Sequence, residues 1–124
     1  FIYYSSEINW SIKKAHSSLY SKKHPNGFSV FETTDLNEEE IKEIEIRDIR
    51  ENDLTKKAPY GRCDMAVKHY KEGNLEIKEQ MPPPRHYNIW GMPVKNDLTD
   101  ADNLSIRQKM ANEYSKLKIY IQKV

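Results

Sequence analysis

The sequence predicts an α+β fold, in which a small, mostly antiparallel sheet packs against two or three helices. Three observations predict it. Residues 35–41, "DLNEEEI", encode the start of a helix, and residues 28–34 and 86–90 alternate as strands do. Residues 98–122 carry a helical stripe of apolar side chains. Since the chain has 124 residues, we expect one domain that spans 1–124.

The first quarter of the chain predicts a strand, a helix, a turn and a second strand. "FIYYSS", residues 1–6, is an aromatic and β-branched run that favours a strand. Residues 7–24 then favour a helix, because apolar side chains recur three and four positions apart. These are Ile8, Ile12, Ala15 and Leu19. "PNG", residues 25–27, is typical of a turn, and "FSVFETT", residues 28–34, alternates as a strand does.

The most specific local signal is a capping box. Asn37 suits the N-cap of a helix, and Glu40, three residues later, is its reciprocal partner. We therefore expect a helix from about residue 38. The sequence does not decide where this helix ends, because residues 44–48 alternate in a way that would also suit a strand.

The second half of the chain leaves one choice open. Residues 58–70 and 75–81 flank a Gly-Asn pair, which is typical of a hairpin, but residues 64–71 would also suit a short helix before a strand at 74–80. The prolines at 82–84 favour a rigid, extended connector. Residues 86–93 predict a strand that enters a turn at Gly91–Pro93.

A final helix is expected over residues 98–122. Thr99 would cap it, with Asp102 three residues later. Its apolar stripe would consist of Ile106, Met110, Tyr114 and Leu117.

The charge distribution, the cysteine content and the absence of long apolar runs indicate where the protein is located and what kind of partner it could attract. The net charge is +1, but residues 32–51 hold nine acidic and three basic residues, so that segment alone is −6. We interpret this as solvated helix faces, with steering of a charged partner as the alternative. Cys63 is the single cysteine, which excludes an internal disulfide and fits a reducing compartment. No run resembles a membrane span or a signal peptide, so we expect a cytoplasmic protein without membrane association.

Candidate chemistry centres on residues 86–90. On a strand, His86, Asn88 and Trp90 would lie on one face, and an imidazole, an amide and an indole together suit a base or a nucleotide. His86 and His16, with Arg62 or Arg85 to hold phosphate, would also suit metal-independent phosphodiester cleavage. The structural alternative is that both histidines bond the backbone and stabilise turns.

Arg62 and Asp64 form a second candidate site. Two positions apart on a strand, they would share a face, where they would form a salt bridge or grip a phosphate or carboxylate. Cys63 lacks a CxxC partner, so the sequence predicts no zinc site from cysteine, and Cys63 itself suits a small buried side chain. A metal site that combines histidine with Asp64 or a glutamate depends on the fold, and we predict no metal or cofactor.

Three segments together resemble small uncharacterised bacterial and prophage proteins: "FSVFETTDLNEEEI", "YGRCD" and "RHYNIWGMP". In that pattern, a capped acidic helix precedes a GR-x-D element and an H-x-N-I-x-G-x-P element. The resemblance covers about residues 28–115 and implies no activity. It implies mobile or conflict-related gene neighbourhoods, and it implies that Arg62, Asp64, His86 and Asn88 belong to one site.

The sequence therefore leaves three functions open. The leading hypothesis is a small cytosolic accessory or binding protein of bacterial or phage origin that acts through a macromolecular partner in a toxin–immunity or defence system. We expect that partner to be a protein, with a nucleic acid or a nucleotide as the alternative. The second is a ribonuclease-like toxin that uses His86 and His16 with an arginine. The third is a nucleotide sensor in which Trp90 is a stacking platform. The oligomeric state is not predicted.

Overall fold

The computed structural model describes residues 1–21, 26–93 and 100–121, and within these ranges the α+β fold is confirmed. The helices are α1 (Glu38–Ile44), α2 (Val67–Glu72) and α3 (Asp100–Lys109). The strands are β1 (Ile8–Asn9), β2 (Lys14–Ala15), β3 (Asn26–Phe31), β4 (Gly61–Met65), β5 (Glu76–Glu79), β6 (His86–Trp90) and β7 (Ser115–Ile119). Short 3-10 helices lie at Ser5–Glu7, Ser17–Tyr20 and Arg50–Asn52, and π-helical turns lie at Glu45–Ile49 and Met110–Tyr114.

Antiparallel pairing joins these strands into sheets. β1 pairs with β2, β4 pairs with β7, and a three-stranded sheet has the order β3-β6-β5. The strands predicted at 28–34 and 86–90 are confirmed as β3 and β6, although β3 ends at Phe31, and the structure shows that the two are neighbours in one sheet. The turn expected at 25–27 includes Pro25, which is outside the described residues. Gly27 has a φ of +109°, which glycine adopts more readily than other residues, and it lies at a shift in the strand register.

The capping box at the start of α1 is confirmed. The Asn37 side chain accepts a hydrogen bond from the Glu40 amide at 2.9 Å, and the Glu40 carboxylate accepts one from the Asn37 amide at 3.2 Å. The alternative of a strand at 44–48 is wrong, because the chain continues as a π-helical turn. Helical geometry there turns Ile44 and Glu45 inward together, and Glu45 is only 2 % exposed.

The predicted helix over residues 7–24 and the opening strand are wrong. The four apolar side chains do recur at helical spacing, but Ile8 and Ala15 are instead directly paired across the β1–β2 hairpin, where both are buried. Ile12 lies in the exposed turn. The indole of Trp10 donates to the Ser5 carbonyl at 3.0 Å, which holds the hairpin against the preceding 3-10 helix. From the opening segment, Ile2 forms an isolated bridge to Gly61.

The C-terminal helix is shorter than predicted. α3 and its π-helical turn end at Tyr114, and β7 follows, so Leu117 lies in a strand. Three members of the predicted apolar stripe do face the core, because Met110 is buried and Tyr114 and Leu117 pack against it, but Ile106 is 47 % exposed. Arg107, next to it, is 3 % exposed and donates to the Pro93 carbonyl at 3.0 Å. Thr99, the expected cap, is outside the described residues.

The middle of the chain contains the short helix and not the hairpin. α2 separates β4 from β5, and β4 pairs with the distant β7 instead of β5. The triproline is not an extended connector either. It lies in the loop that closes the β5–β6 hairpin, where the Gln80 amide donates to the His86 carbonyl at 3.0 Å.

One cluster of buried side chains connects the three sheets. It takes Ala15 from β2, Ile89 from β6 and Met110 from the turn before β7, with Cys63 and Leu117 packed against it from β4 and β7. Ile89 is fully buried, which fixes one face of the three-stranded sheet against the core. The opposite face carries the candidate residues.

Candidate functional site

The structure divides the candidate residues between two places. His86, Asn88 and Trp90 lie on β6 of the three-stranded sheet, whereas Arg62 and Asp64 lie on β4 of a different sheet. Arg85 lies in the loop that leads into β6. His16 precedes the 3-10 helix at Ser17–Tyr20.

The three β6 residues share the outer face of their sheet. Because successive side chains alternate between the faces of a strand, the core position of Ile89 places His86, Asn88 and Trp90 on the opposite side. Residues directly opposite in an antiparallel pair point to the same side, so the register adds neighbours from β3 and β5. We call this surface the outer face, and its members are Ser29, Phe31, Glu76, Lys78, His86, Asn88 and Trp90.

Side chains of the outer face contact one another closely. The Phe31 and His86 rings lie 5.1 Å apart, and the Lys78 ammonium lies 4.3 Å from the centre of the Trp90 ring. Lys78 also pairs with Glu76 at 3.4 Å. Ser29 and Lys78 are exposed, whereas the aromatic side chains and Asn88 are half-buried. A partner that reaches this face would therefore meet aromatic surface flanked by polar groups.

His86 is held at both ring nitrogens. Its Nδ1 lies 2.8 Å from the Gln80 carbonyl oxygen, and its Nε2 lies 2.6 Å from the Ser29 hydroxyl. A carbonyl oxygen only accepts, so Nδ1 donates to it. In the neutral ring, Nε2 then accepts the hydrogen bond from Ser29. The backbone contact expected for a structural histidine is present, together with a side-chain contact that sequence reasoning did not identify.

Arg62 is the centre of a compact polar cluster. Its Nη1 donates to Glu38 Oε2 at 2.5 Å and to the Tyr120 hydroxyl at 2.8 Å, and its Nε donates to Asp64 at 3.1 Å. The Tyr120 hydroxyl in turn donates to Glu38 Oε1 at 2.7 Å, and Lys118 lies 3.4 Å from Glu38 Oε2. The expected Arg62–Asp64 salt bridge is confirmed, and we call the set of Glu38, Arg62, Asp64, Lys118 and Tyr120 the Arg62 cluster.

The pKa values in the Arg62 cluster follow from these bonds. Burial acts to raise the pKa of Glu38, but hydrogen bonds from Arg62 and Tyr120 outweigh it and lower the pKa from 4.5 to about 2. Burial and the hydrogen bond to Glu38 raise the pKa of Tyr120 to about 12. For Arg62, burial acts to lower the pKa, but the bonds to Glu38 and Tyr120 raise it overall. Glu38 is thus an anion and Arg62 a cation across the physiological range.

The remaining candidates have local partners. The guanidinium of Arg85 donates to Glu32 Oε2 at 2.9 Å and to its carbonyl at 3.3 Å. His16 caps a 3-10 helix, because its Nδ1 accepts from the Ser18 amide at 3.1 Å. Cys63 is half-buried and accepts a hydrogen bond from Tyr20 at 3.7 Å, and burial raises the pKa of its thiol.

No protein-family model, curated protein or solved structure matches this chain. The resemblance carried by the GR-x-D and H-x-N-I-x-G-x-P elements therefore stays a prediction. The two elements lie in separate sheets, and within the described part of the chain Arg62 and His86 have no hydrogen-bond partner in common. The expectation that Arg62, Asp64, His86 and Asn88 form one site thus finds no support in the observed hydrogen bonds.

Within the described residues, the structure shows neither a metal-binding cluster nor a membrane-spanning helix. Within residues 1–21, 26–93 and 100–121, no group of three or more His, Cys, Asp or Glu side chains is arranged to hold a metal ion. In those same ranges, none of the helices combines the length and apolarity needed to cross a bilayer.

Sequence reasoning missed the partners of both sites. Ser29 and Phe31 lie in the alternating run at 28–31, and their alternation placed them on a face without saying which strand lay beside them. Glu38 lies at the start of the helix predicted from residue 38, and Tyr120 lies in the helix predicted over residues 98–122. Each gains its contact from a residue at least 24 positions away.

Proposed function

We propose that the protein is a binding module that acts through a macromolecular partner, which it contacts by the outer face. The observation that carries this proposal is the pairing of half-buried aromatic rings, Phe31 and Trp90, with the exposed polar side chains Ser29 and Lys78 on one sheet. Aromatic side chains contribute most to protein interfaces because they bury large area with few torsions. The other face of the sheet is occupied by the core, so the outer face is the one available to a partner.

A protein partner fits this face better than a nucleic acid. Among the described residues of the outer face, Lys78 is the one lysine or arginine and Glu76 the one acidic residue, and the two are paired with each other. Binding to a phosphate backbone relies on several lysines and arginines, each of which releases counterions. A neutral, aromatic and hydrogen-bonding surface is instead typical of protein–protein contacts.

The alternative functions have less support. Phosphodiester cleavage by two histidines requires both rings and a cation at one phosphate, but His16 caps a 3-10 helix and the Arg62 guanidinium is bonded to Glu38, Asp64 and Tyr120. A nucleotide base stacked on Trp90 would compete with the Lys78 ammonium for the ring face.

Two finer parts of the proposal have other support. A cytosolic location is proposed from the single cysteine, which fits a reducing compartment. A role in a bacterial or phage conflict system is proposed from the resemblance of the GR-x-D and H-x-N-I-x-G-x-P elements.

Site-specific photo-crosslinking tests the proposed partner contact. A benzophenone amino acid replaces the exposed Ser29 in one variant and the exposed Lys68 of α2 in a matched control. We expect a discrete adduct from position 29 in cells, its disappearance when Asn88→Arg is added, and no such adduct from position 68. Equal adducts from both positions, or none from position 29, would overturn the proposal.

A further inference from the structure

We propose that Ser29 and His86 form a nucleophile–base pair that transfers the acyl group of small esters to water. This activity goes beyond the binding function proposed above and does not depend on the partner. The pair belongs to two neighbouring strands, β3 and β6, and one of its members, the Ser29 side chain, is exposed.

The geometry has the three parts of an activated nucleophile. The Ser29 Oγ lies 2.6 Å from His86 Nε2, within the distance required for proton transfer to a base. The Gln80 carbonyl, 2.8 Å from Nδ1, is the third group, which orients the ring and fixes the proton on Nδ1. That carbonyl is itself positioned, because the Gln80 amide donates to the His86 carbonyl at 3.0 Å.

Packing restrains the imidazole as well. The Phe31 ring lies 5.1 Å from the His86 ring, two residues along β3 from Ser29. Nucleophile, base and orienting carbonyl are thus attached to paired backbone, and sites on strands hold their geometry better than sites on loops.

The backbone of β3 supplies a donor for the developing oxyanion. The Glu32 amide donates to the Arg85 carbonyl at 2.9 Å, and hydrogen-bonded pairs alternate along an antiparallel ladder. Phe28 and Val30 therefore direct their backbone groups toward β6, whereas the Ser29 amide is directed away from it. An ester carbonyl attacked by Ser29 Oγ would meet that amide beside the nucleophile.

The proposed reaction balances without a cofactor. Ser29 Oγ forms a bond to the acyl carbon while its proton moves to His86 Nε2. The ester C–O bond then breaks, and the leaving alcohol takes the proton from His86. Water next attacks the acyl-Ser29 ester, passes a proton to Nε2, and releases a carboxylic acid as that proton returns to Ser29.

A second Ser–His contact in the same chain provides a matched control. His16 Nδ1 lies 2.9 Å from Ser18 Oγ, but the same nitrogen accepts from the Ser18 amide at 3.1 Å. The Ser18 hydroxyl also donates to the Ser6 carbonyl at 3.3 Å. Since that hydroxyl proton is directed at a carbonyl and not at the ring, Ser18 is expected to be inert.

A fluorophosphonate probe tests the pair, because it labels serines only when a base activates them. We expect one label on the intact protein, mapped to Ser29 by peptide mass spectrometry. Ser29→Ala should remove it, Ser18→Ala should leave its rate unchanged, and His86→Ala should slow it about 100-fold, the usual contribution of a general base. Hydrolysis of p-nitrophenyl acetate should follow the same order.

A thiol variant gives a readout that does not require His86 to be replaced. In Ser29→Cys, the imidazole favours the thiolate, so alkylation by iodoacetamide at pH 7 should be about tenfold faster than in Ser18→Cys, after subtraction of the Cys63 rate in the unsubstituted protein. Absence of a fluorophosphonate label, a label at Ser18, or equal alkylation of the two thiol variants would each overturn the proposal.

Discussion

Replacing Glu38 by glutamine tests whether the Arg62 cluster stabilises the fold. The Glu38 carboxylate accepts from Arg62 and Tyr120, so it connects the start of α1 to β4 and to the segment after β7. Glu38→Gln removes the charge but keeps the size of the side chain. We expect lower stability near neutral pH and a smaller loss in acid.

The size of the effect follows from the pKa. A carboxyl whose pKa falls from 4.5 when unfolded to about 2 when folded contributes at most roughly 3 kcal/mol at neutral pH. The Glu38 side chain is 29 % exposed, and solvent screening reduces this to about 1–2 kcal/mol. For a chain of this length, Tm would fall by roughly 4–8 °C.

The sign of the pH dependence is fixed by the depressed pKa. The contribution of Glu38 is fully present above its unfolded value of 4.5 and is lost as the pH falls toward 2. The free-energy difference between Glu38→Gln and the unsubstituted protein should therefore be constant between pH 6 and 8 and should narrow below about pH 5.

Urea unfolding at pH 7, 5 and 4 measures this difference. Glu39→Gln is the matched control, because Glu39 also lies in the first turn of α1 and experiences the same helix dipole, but is exposed. We expect the control to differ from the unsubstituted protein by a few tenths of a kcal/mol. Equal losses in the two variants, or a Glu38→Gln difference that does not change with pH, would refute a stabilising ion pair.

Three further substitutions, one of them with a matched control, test the fold by thermal or urea unfolding. Asn37→Ala removes the N-terminal half of the capping box and should cost about 1 kcal/mol, and an unchanged Tm would contradict the cap. Gly61→Ala places a methyl group 2.3 Å from the Lys118 carbonyl oxygen and should open the β4–β7 pair, whereas Gly73→Ala meets nothing nearer than 3.6 Å and should be tolerated. Ile89→Ala, at a fully buried position, should cost about 2–5 kcal/mol, and a loss below 1 kcal/mol would mean that the three-stranded sheet does not pack there.

The sequence predicted correctly those secondary-structure elements that depend on residues close together in the chain. The Asn37 cap and the alternation at 86–90 involve neighbouring residues, and both are present. The helix expected at 7–24 failed because spacing of three and four also arises when Ile8 and Ala15 face each other across a hairpin. The spacing of apolar residues alone does not distinguish a helix from a hairpin when the intervening residues are polar.

The C-terminal error has a different origin. Residues 115–119 alternate between half-buried and exposed side chains, with lysines at both exposed positions, so a strand pattern is present in the sequence. The same residues also fit the last turns of a helix, because Leu117 continues the helical spacing of Tyr114. Pairing with β4, whose residues lie at least fifty positions from their partners in β7, decides between the helix and the strand, and a single sequence does not show which strands will pair.

Both candidate sites are subject to the same limit, because a single sequence does not show which strands pair. Shared strand faces could be predicted, so Arg62 with Asp64 and His86 with Asn88 were placed correctly relative to one another. Partners across strands could not, and these include Ser29 for His86 and Glu38 for Arg62. The residues that define the chemistry of each site are therefore the ones that required coordinates.

The two sites differ in how much they contribute to the stability of the fold. In the Arg62 cluster, the donors are matched to acceptors that tie α1 to β4 and to the segment after β7, so a variant there lowers the stability of the fold whether or not the cluster has a function. Ser29 is exposed, and its hydroxyl joins two strands that the backbone ladder already pairs, so Ser29→Ala should change stability by less than about 1 kcal/mol. A loss of partner binding or acyl transfer in a fully folded Ser29 variant would therefore report on the outer face alone, whereas the same loss in an Arg62 variant would not distinguish a site from a scaffold.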